Sequence, residues 1–307
     1  MHPNTKIAII GAGHVGSHVA LACALQGLAR EIVLLDTDRK KAKGQAIDIM
    51  DALAYSSCNV NVYEGWYDAV ADAAIAVMCA CAVGYESSDR LQELQPTLRV
   101  ADEVANGLNG CGFSGILVSI SNPCDIIAQY LQKKTGLTVI GTGTALDSAR
   151  FRVRLAQALS VDVASVQGYC LGEHGDSQVP ALGTVTVGGI PLNRLMSAYP
   201  NADFSAIVQN TVKAGWEIVL GKGCTEFGIA AAAARMVRAI LRDEQTVLPC
   251  SILLSGQYGG SGIYASLPCV IGRQGAEPLP EMDLSGQERA ALARSFYTIK
   301  RHLPEGI

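Results

Sequence analysis

A histidine set between two glycines is the feature of this sequence best suited to chemistry. His174 lies in the segment Leu171-Gly172-Glu173-His174-Gly175-Asp176 and is one of five histidines in 307 residues. Imidazole, with an unperturbed pKa of about 6.5, is the side chain that gives and takes a proton near neutral pH. The flanking glycines allow backbone conformations that a Cβ atom would forbid. The pattern indicates a general acid–base residue, although a histidine that packs or caps a turn would fit the same segment.

A glycine-rich turn near the N-terminus predicts a second kind of site. The turn consists of Gly11, Ala12, Gly13, His14, Val15 and Gly16. In such a turn the first glycine permits the bend, the second lets the backbone approach a pyrophosphate, and the third lets a helix pack on a strand. Asp36 ends the next apolar stretch, where its carboxylate can accept hydrogen bonds from ribose hydroxyls and repel an additional phosphate. We therefore predict NAD as the cofactor.

The elements that would position these residues alternate along the first half of the chain. Apolar stretches at 7–10, 31–35, 60–62, 74–78 and 115–120 alternate with helical patterns at 14–27, 38–52 and 90–109. Strands that are apolar throughout and separated by helices indicate a parallel sheet covered on both faces. We predict an α/β fold in which residues 1–145 form a Rossmann doubly wound sheet that binds the dinucleotide.

The second half, residues 146–307, is predicted to be a mixed α/β domain that binds the substrate. The patterns indicate helices at 145–159, 203–220, 225–242 and 285–302, strands at 247–256 and 263–271, and a hairpin at 184–190. The hairpin would turn at Gly188-Gly189. Because no flexible linker separates the two halves, a ligand could lie in the crevice between them.

Composition places the chain among compact globular proteins. Its net charge is -4, with 49% hydrophobic and 17% charged residues, and no basic face suggests a nucleic-acid partner. The ten cysteines lie mostly in apolar stretches and form no Cys-x-x-Cys pair, so we expect reduced thiols, no metal site and a cytoplasmic location. We also expect neither a secretion signal nor a membrane span.

Four motifs occur in order and in register: Gly11–Gly16, Ser121-Asn122-Pro123, Leu146–Arg150 and Gly172–Asp176. Together they make this chain resemble the NAD-dependent L-lactate and malate dehydrogenases over nearly its whole length. Segments 141–144, 221–223 and 271–273 are similar to the branch that contains the L-lactate and L-2-hydroxyisocaproate dehydrogenases. The resemblance implies hydride transfer between NAD(H) and a small 2-oxo or 2-hydroxy acid, in a homotetramer or homodimer.

The resemblance also implies a role for each matching residue. His174 would exchange a proton with the substrate oxygen, and Asp147 would orient its ring and stabilise the charged form. Arg150 would pair with the substrate carboxylate through two parallel hydrogen bonds. Asn122 would contact the substrate oxygen or help to place the nicotinamide, and Arg90, on a mobile lid, would polarise the carbonyl. Without the resemblance, Asp147 could equally be a helix cap and Arg150 a surface arginine.

The lid departs from the family pattern at the position that selects the substrate. Lactate enzymes usually carry Gln and malate enzymes Arg six positions before the lid arginine, where this chain has Gly84. No lid cation is present for a second carboxylate and Glu86 would repel one, so malate is disfavoured. We expect L-lactate dehydrogenase activity, with an L-2-hydroxyisocaproate type acting on larger acids as the alternative. Thr225 matches the residue near the substrate side chain, or is the N-cap of helix 225–242.

Regulation by fructose 1,6-bisphosphate is not expected. Many bacterial members of the family bind this effector across a subunit interface through an Arg and a His. Arg152 matches the first of these positions, but Gln167 stands at the second. Losing one of two cationic contacts should weaken binding of the bisphosphate considerably.

Two functions from other classes remain as alternatives. NAD- and metal-dependent glycosidases use a Cys and a His as metal ligands, and Cys124, which follows Asn122-Pro123, is the one hint of that class. A non-catalytic structural protein on the same fold would not need Asp147, Arg150, His174 and Arg90 together.

Overall fold

A parallel sheet at the centre of the molecule orders the first half of the chain. The structure is a computed structural model that describes residues 5–82 and 94–306. The parallel strands are β1 (Lys6–Ile10), β2 (Glu31–Leu35), β3 (Asn61–Glu64), β4 (Ile75–Met78), β5 (Ile116–Ser119) and β6 (Val139–Gly141). Their order in the sheet is β6-β5-β4-β1-β2-β3, so the winding reverses between β1 and β4. This is the doubly wound order, in which ligands bind outside the carboxyl ends of the strands at the reversal.

Four helices connect these strands and cover the sheet. They are α1 (His14–Leu25), α2 (Arg39–Leu53), α3 (Leu94–Cys111) and α4 (Cys124–Thr135). Because both faces of the sheet are covered, β4 and β5 are buried at every residue, and β1 and β2 are buried except at their first residue. The fold class predicted from the apolar stretches is confirmed.

The second half adds helices and antiparallel strands. The helices are α5 (Ala145–Leu159), α6 (Leu192–Leu195), α7 (Phe204–Lys222), α8 (Phe227–Leu241) and α9 (Gly286–His302). The strands are β7 (Val166–Gln167), β8 (Cys170–Leu171), β9 (Val179–Pro180), β10 (Thr186–Val187), β11 (Ile190–Pro191), β12 (Thr246–Ser255), β13 (Ser261–Gly272) and β14 (Gly275–Pro278). The predicted hairpin is present as β10 and β11, joined by Gly188 and Gly189.

One sheet runs through both halves of the chain. Strands β12, β13 and β14 pair antiparallel with one another, and β12 joins β6 through Ser251 and Gly141. The main hydrophobic core accordingly contains residues of both halves, whereas a smaller core forms around Phe151, between α5, α7 and the β10–β11 hairpin. The division at residue 145 stays a prediction.

Several elements were not predicted from the sequence, among them α4, β6 and β14. Residues 124–131 of α4 are all buried. Strand β6 has three residues, and β14 follows β13 after a two-residue turn. Helix α8 begins at Phe227, two residues later than predicted, and α7 continues to Lys222. No helix in the two described ranges combines the length and apolar character needed to cross a membrane.

Candidate active site

The buried carboxylate of Asp147 lies at the centre of the candidate site. Asp147 is in the first turn of α5 and is 1% exposed. The same turn is tied to β8, because Thr144 Oγ1 donates to the Cys170 carbonyl and the Cys170 amide donates to Ser148 Oγ. These two bonds hold the chain that continues from β8 to His174 against the start of α5.

His174 meets Asp147 through one ring nitrogen. Its Nδ1 lies 2.6 Å from Asp147 Oδ2. An ionised carboxylate only accepts hydrogen bonds, so Nδ1 carries the hydrogen in this pair. Fixing a hydrogen on Nδ1 leaves proton exchange to Nε2, the other ring nitrogen.

Arg150 meets the other oxygen of the same carboxylate. Its Nη1 donates to Asp147 Oδ1 at 3.0 Å, one helical turn along α5. Thr144, not Asp147, occupies the N-cap position of this helix, so the interpretation of Asp147 as a cap is wrong. Arg150 is also no surface arginine, since its side chain is 10% exposed. Asp147, Arg150 and His174 thus form one hydrogen-bonded group.

The turn that carries His174 depends on Gly172. Its φ of +84° lies in the left-handed region, and a Cβ atom there would lie 2.4 Å from Ser295 Oγ in α9. That hydroxyl accepts the hydrogen bond of the Glu173 amide at 2.8 Å. Helix α9 therefore supports the turn, and the glycine is required for both conformation and space.

Asp125 is a second buried carboxylate at the site, and it was not predicted from the sequence. Its Oδ2 accepts the backbone N–H of His174 at 2.8 Å, and its Oδ1 accepts the Ser251 hydroxyl of β12 at 2.5 Å. Burial raises the pKa of Asp125 to about 6, although both hydrogen bonds oppose the rise. The sequence does contain a signal for it, because Asp125 is an acidic residue inside the predominantly apolar stretch that follows the Asn122-Pro123 motif.

The glycine-rich turn follows β1 and opens α1 as predicted. Gly11 has a φ of +99°, and a Cβ atom on it would lie 2.6 Å from the Ala80 nitrogen at the end of β4. A Cβ atom on Gly16 would lie 1.8 Å from the Gly11 carbonyl oxygen, whereas one on Gly13 would meet nothing within 4 Å. His14, Val15 and Gly16 supply the first N–H groups of α1, which have no acceptor within the helix. The turn is thus closed on the sheet side and open at Gly13.

Asp36 stands beside this turn, at the end of β2. Its Oδ2 accepts the Ala12 amide at 2.8 Å, and its Oδ1 accepts the Asp38 amide at 2.9 Å. Lys41 Nζ also lies 2.9 Å from Oδ2. Burial raises the pKa of Asp36, but the bonds from Lys41, Asp38 and Ala12 outweigh it and leave the pKa below its usual value. The carboxylate is therefore ionised at neutral pH.

Asn122 offers an acceptor that the described residues leave unsatisfied. It follows β5 and precedes α4, on the same edge of the sheet as the glycine-rich turn. Its Oδ1 is buried, and within the described ranges it has no hydrogen-bond partner. Such an atom carries a desolvation cost unless a ligand supplies a donor. The open turn, the ionised Asp36 and this oxygen fit a dinucleotide with a polar head group.

Of three further residues predicted to lie at the substrate, the structure describes one, Thr225. Thr225 is half-buried and precedes α8, whose N-cap is Glu226, so the interpretation of Thr225 as a cap is wrong. Gly84 and Arg90 lie outside the described residues.

Cys124, the hint of a metal-dependent glycosidase, does not face a ligand. It is 1% exposed, and its sulfur contacts Thr142 Oγ1 and the Gly143 amide. Burial raises the pKa of its thiol to about 12. A protonated, enclosed thiol is a packing group.

Because the pKa of Asp125 is raised, we predict that the contribution of this residue to the stability of the protein depends on pH. A carboxyl whose folded pKa is raised binds a proton on folding between the usual value of 3.8 and about 6, so its stability contribution falls as pH rises through that window. Asn cannot titrate. Measured by denaturant unfolding, the stability of wild type relative to Asp125→Asn should fall by up to about 3 kcal/mol between pH 4 and pH 7.5. A constant or rising difference would contradict the burial argument.

Comparison with known proteins agrees with this geometry over the whole chain. Residues 5–139 match the NAD binding domain of lactate/malate dehydrogenases, and residues 144–307 match the alpha/beta C-terminal domain of the same family. An L-lactate dehydrogenase from Fusobacterium nucleatum is 36% identical, covering 98% of this chain and 96% of that protein.

Solved structures show the same fold. The lactate dehydrogenase from Cryptosporidium parvum, complexed with lactic acid and nicotinamide adenine dinucleotide, has a TM-score of 0.94 at 32% identity and covers 98% of each chain. The malate dehydrogenase from the same organism has a TM-score of 0.92 at 29% identity, again covering 98% of each chain. The near-equal scores mean that the fold by itself does not select the substrate. The chain belongs to the lactate/malate dehydrogenase family.

Proposed function

We propose that the protein is an NAD-dependent L-lactate dehydrogenase that interconverts pyruvate and L-lactate. The observation that carries the proposal is the buried Asp147 carboxylate, which holds His174 through one oxygen and Arg150 through the other. A 2-oxo acid presents a carbonyl oxygen that needs a proton and, next to it, a carboxylate that needs a cation. The curated relative from Fusobacterium nucleatum, named an L-lactate dehydrogenase, supports lactate over malate.

Proton transfer falls to His174. In the direction of reduction, the imidazolium donates its Nε2 proton to the substrate oxygen, and in oxidation the neutral ring takes that proton back. Asp147 lies against Nδ1 and orients the ring, which leaves Nε2 as the nitrogen that exchanges the proton. Asp125 holds the backbone of the same residue and so fixes the position from which the ring extends.

Substrate orientation falls to Arg150. Its guanidinium is planar, and its Nη1 donates to Asp147. That bond restricts the position of the guanidinium, which would meet a substrate carboxylate through two parallel hydrogen bonds. The shared carboxylate thereby sets the proton donor and the carboxylate anchor at a fixed separation.

The residues around the glycine-rich turn would hold NAD, which supplies or accepts the hydride when bound. The helix N-terminus at His14, Val15 and Gly16 would bind the phosphates, and Asp36 would accept hydrogen bonds from the ribose. Lys41 partly neutralises Asp36, so discrimination against NADP rests on the remaining negative charge and on space. Asn122 Oδ1 would accept a donor from the nicotinamide or its ribose.

Two alanine substitutions in the glycine-rich turn should affect different properties: cofactor binding in one case and the stability of the protein in the other. In Gly13→Ala the new methyl enters open space, so the melting temperature should stay near that of wild type while NADH binding weakens at least about tenfold, a loss of about 1.4 kcal/mol. In Gly16→Ala the methyl meets the Gly11 carbonyl, so the protein itself should be destabilised. Thermal unfolding and NADH fluorescence titration separate the two, and wild-type NADH affinity in Gly13→Ala would count against the pyrophosphate site.

Substrate size depends on residues for which resemblance is the sole guide. Gly84 would leave the pocket wider than the usual Gln, and Arg90 would polarise the carbonyl as the lid closes. Thr225 would lie near the substrate side chain. A 2-hydroxyisocaproate-type preference for larger acids is therefore the second candidate.

A steady-state comparison of pyruvate, 2-oxoisocaproate, phenylpyruvate and oxaloacetate, each with NADH, tests the proposal. We expect pyruvate to give the highest kcat/KM and oxaloacetate the lowest. His174→Asn should reduce kcat on every substrate by roughly 10²–10⁴-fold, whereas His302→Asn, at the end of α9, should not. A kcat/KM for pyruvate about tenfold or more below that for the larger acids would replace lactate with the second candidate.

The proposal extends to a cytoplasmic homo-oligomer, a dimer or tetramer. Large apolar side chains are exposed on helices of both halves, including Ile47 on α2, Leu220 on α7 and Phe227 on α8. Burial against a second copy would remove them from water. The mass measured by light scattering checks this expectation, and a monomer at micromolar concentration would exclude it.

A further inference from the structure

Three potential metal ligands meet where α1 begins against the segment between α7 and α8. One ligand atom each from His14, Cys224 and Glu226 lies within 4.8 Å of the other two. His14 Nδ1 is 3.4 Å from Glu226 Oε2, and Cys224 Sγ is 3.7 Å from the same oxygen. His14 is far in the sequence from Cys224 and Glu226, so the fold brings it to the other two.

The two separations from Glu226 Oε2 are close to those between neighbouring ligands of one tetrahedral ion. Zn²⁺ binds imidazole nitrogen and carboxylate oxygen at about 2.0–2.2 Å and thiolate sulfur at about 2.3 Å. In a tetrahedron with bonds of about 2.1 Å, neighbouring ligand atoms lie about 3.4 Å apart. The cluster therefore needs little rearrangement to receive an ion, and nitrogen, sulfur and oxygen together suit zinc-class metals better than Mg²⁺ or Ca²⁺.

The carboxylate at the centre of the cluster is oriented by its neighbours. Lys222 Nζ lies 2.5 Å from Glu226 Oε1, and this directs Oε2 towards His14 and Cys224. The ammonium group of Lys222 is itself 4.0 Å from the ring centre of Phe227. The Glu226 side chain is 12% exposed, so it is held rather than solvated. Support of this kind around a ligand raises metal affinity.

A nearby histidine, His18, is hydrogen-bonded to the backbone and is not one of the three potential ligands. His18 Nδ1 lies 3.9 Å from Glu226 Oε2 but only 2.6 Å from the His14 carbonyl oxygen, to which it is hydrogen-bonded. Its ring packs edge-on against Phe227. His18 therefore shapes the cluster rather than completing it. The side chain of His14 is 79% exposed, which leaves an entry path and a fourth coordination position open to solvent.

We propose that His14, Cys224 and Glu226 form a binding site for one zinc-class metal ion, with its fourth position open. The ion would link the dinucleotide-binding turn, which contains His14, to the segment that carries Thr225. This site is separate from the proton-transfer group around Asp147, and lactate oxidation does not require it.

Titration of metal-free protein with Co²⁺, a spectroscopic substitute for Zn²⁺, tests the site. We expect one equivalent to produce the visible bands of a four-coordinate ion together with a thiolate-to-cobalt charge-transfer band, and Zn²⁺ to abolish both. Cys224→Ser should remove the charge-transfer band, and His14→Ala should weaken Co²⁺ binding by about tenfold or more.

Controls keep the result independent of folding and of catalysis. Cys58→Ser removes another partly exposed thiol and His302→Asn another partly exposed imidazole, and both should titrate like wild type. All four variants should unfold at the wild-type temperature without metal. A charge-transfer band that persists in Cys224→Ser, or a wild-type protein that gives no four-coordinate cobalt spectrum, would overturn the proposal, whatever the lactate dehydrogenase activity.

Discussion

The active site depends on one buried carboxylate that serves two partners. Taking the charge of Asp147 out of water is costly unless the charge is paired and hydrogen-bonded, and here both oxygens are used. His174 and Arg150 are in turn placed by it, although they come from different parts of the chain. The bonds between the first turn of α5 and β8 maintain this arrangement. The surrounding fold can therefore be understood as the support that keeps this carboxylate dry and paired.

Asp125 is a second buried carboxylate that holds His174, through the backbone rather than the ring. Two buried carboxylates thus act on one histidine, but their surroundings differ. Asp147 has an arginine and an imidazole beside it, whereas the direct hydrogen-bond donors of Asp125 are a backbone amide and a hydroxyl. Without a strong cation, burial dominates and raises the pKa of Asp125 to about 6. The positioning of His174 is therefore achieved at some cost in stability at neutral pH.

The features that could be predicted from the sequence are those that depend on residues close together in the chain. The glycine-rich turn, Asp36 and the alternation of strands and helices are local patterns, and they predicted the doubly wound sheet. The grouping of Asp147, Arg150 and His174 was predicted by resemblance, since spacing alone left a helix cap as an equal alternative for Asp147. Asp125 was missed because its partners, His174 and Ser251, are distant in the chain. The cluster of His14, Cys224 and Glu226 was missed because His14 is distant in the chain from the other two, and we predicted no metal site from the sequence.

The central claim, that Asp147 fixes the proton of His174 on Nδ1, can be measured directly. Nitrogen NMR of histidine-labelled protein distinguishes the two neutral tautomers of each of the five imidazoles, and His174→Asn assigns the signal. The account predicts that neutral His174 carries its hydrogen on Nδ1, and that Asp147→Asn abolishes this preference. A neutral ring protonated on Nε2 in the wild-type protein would contradict it.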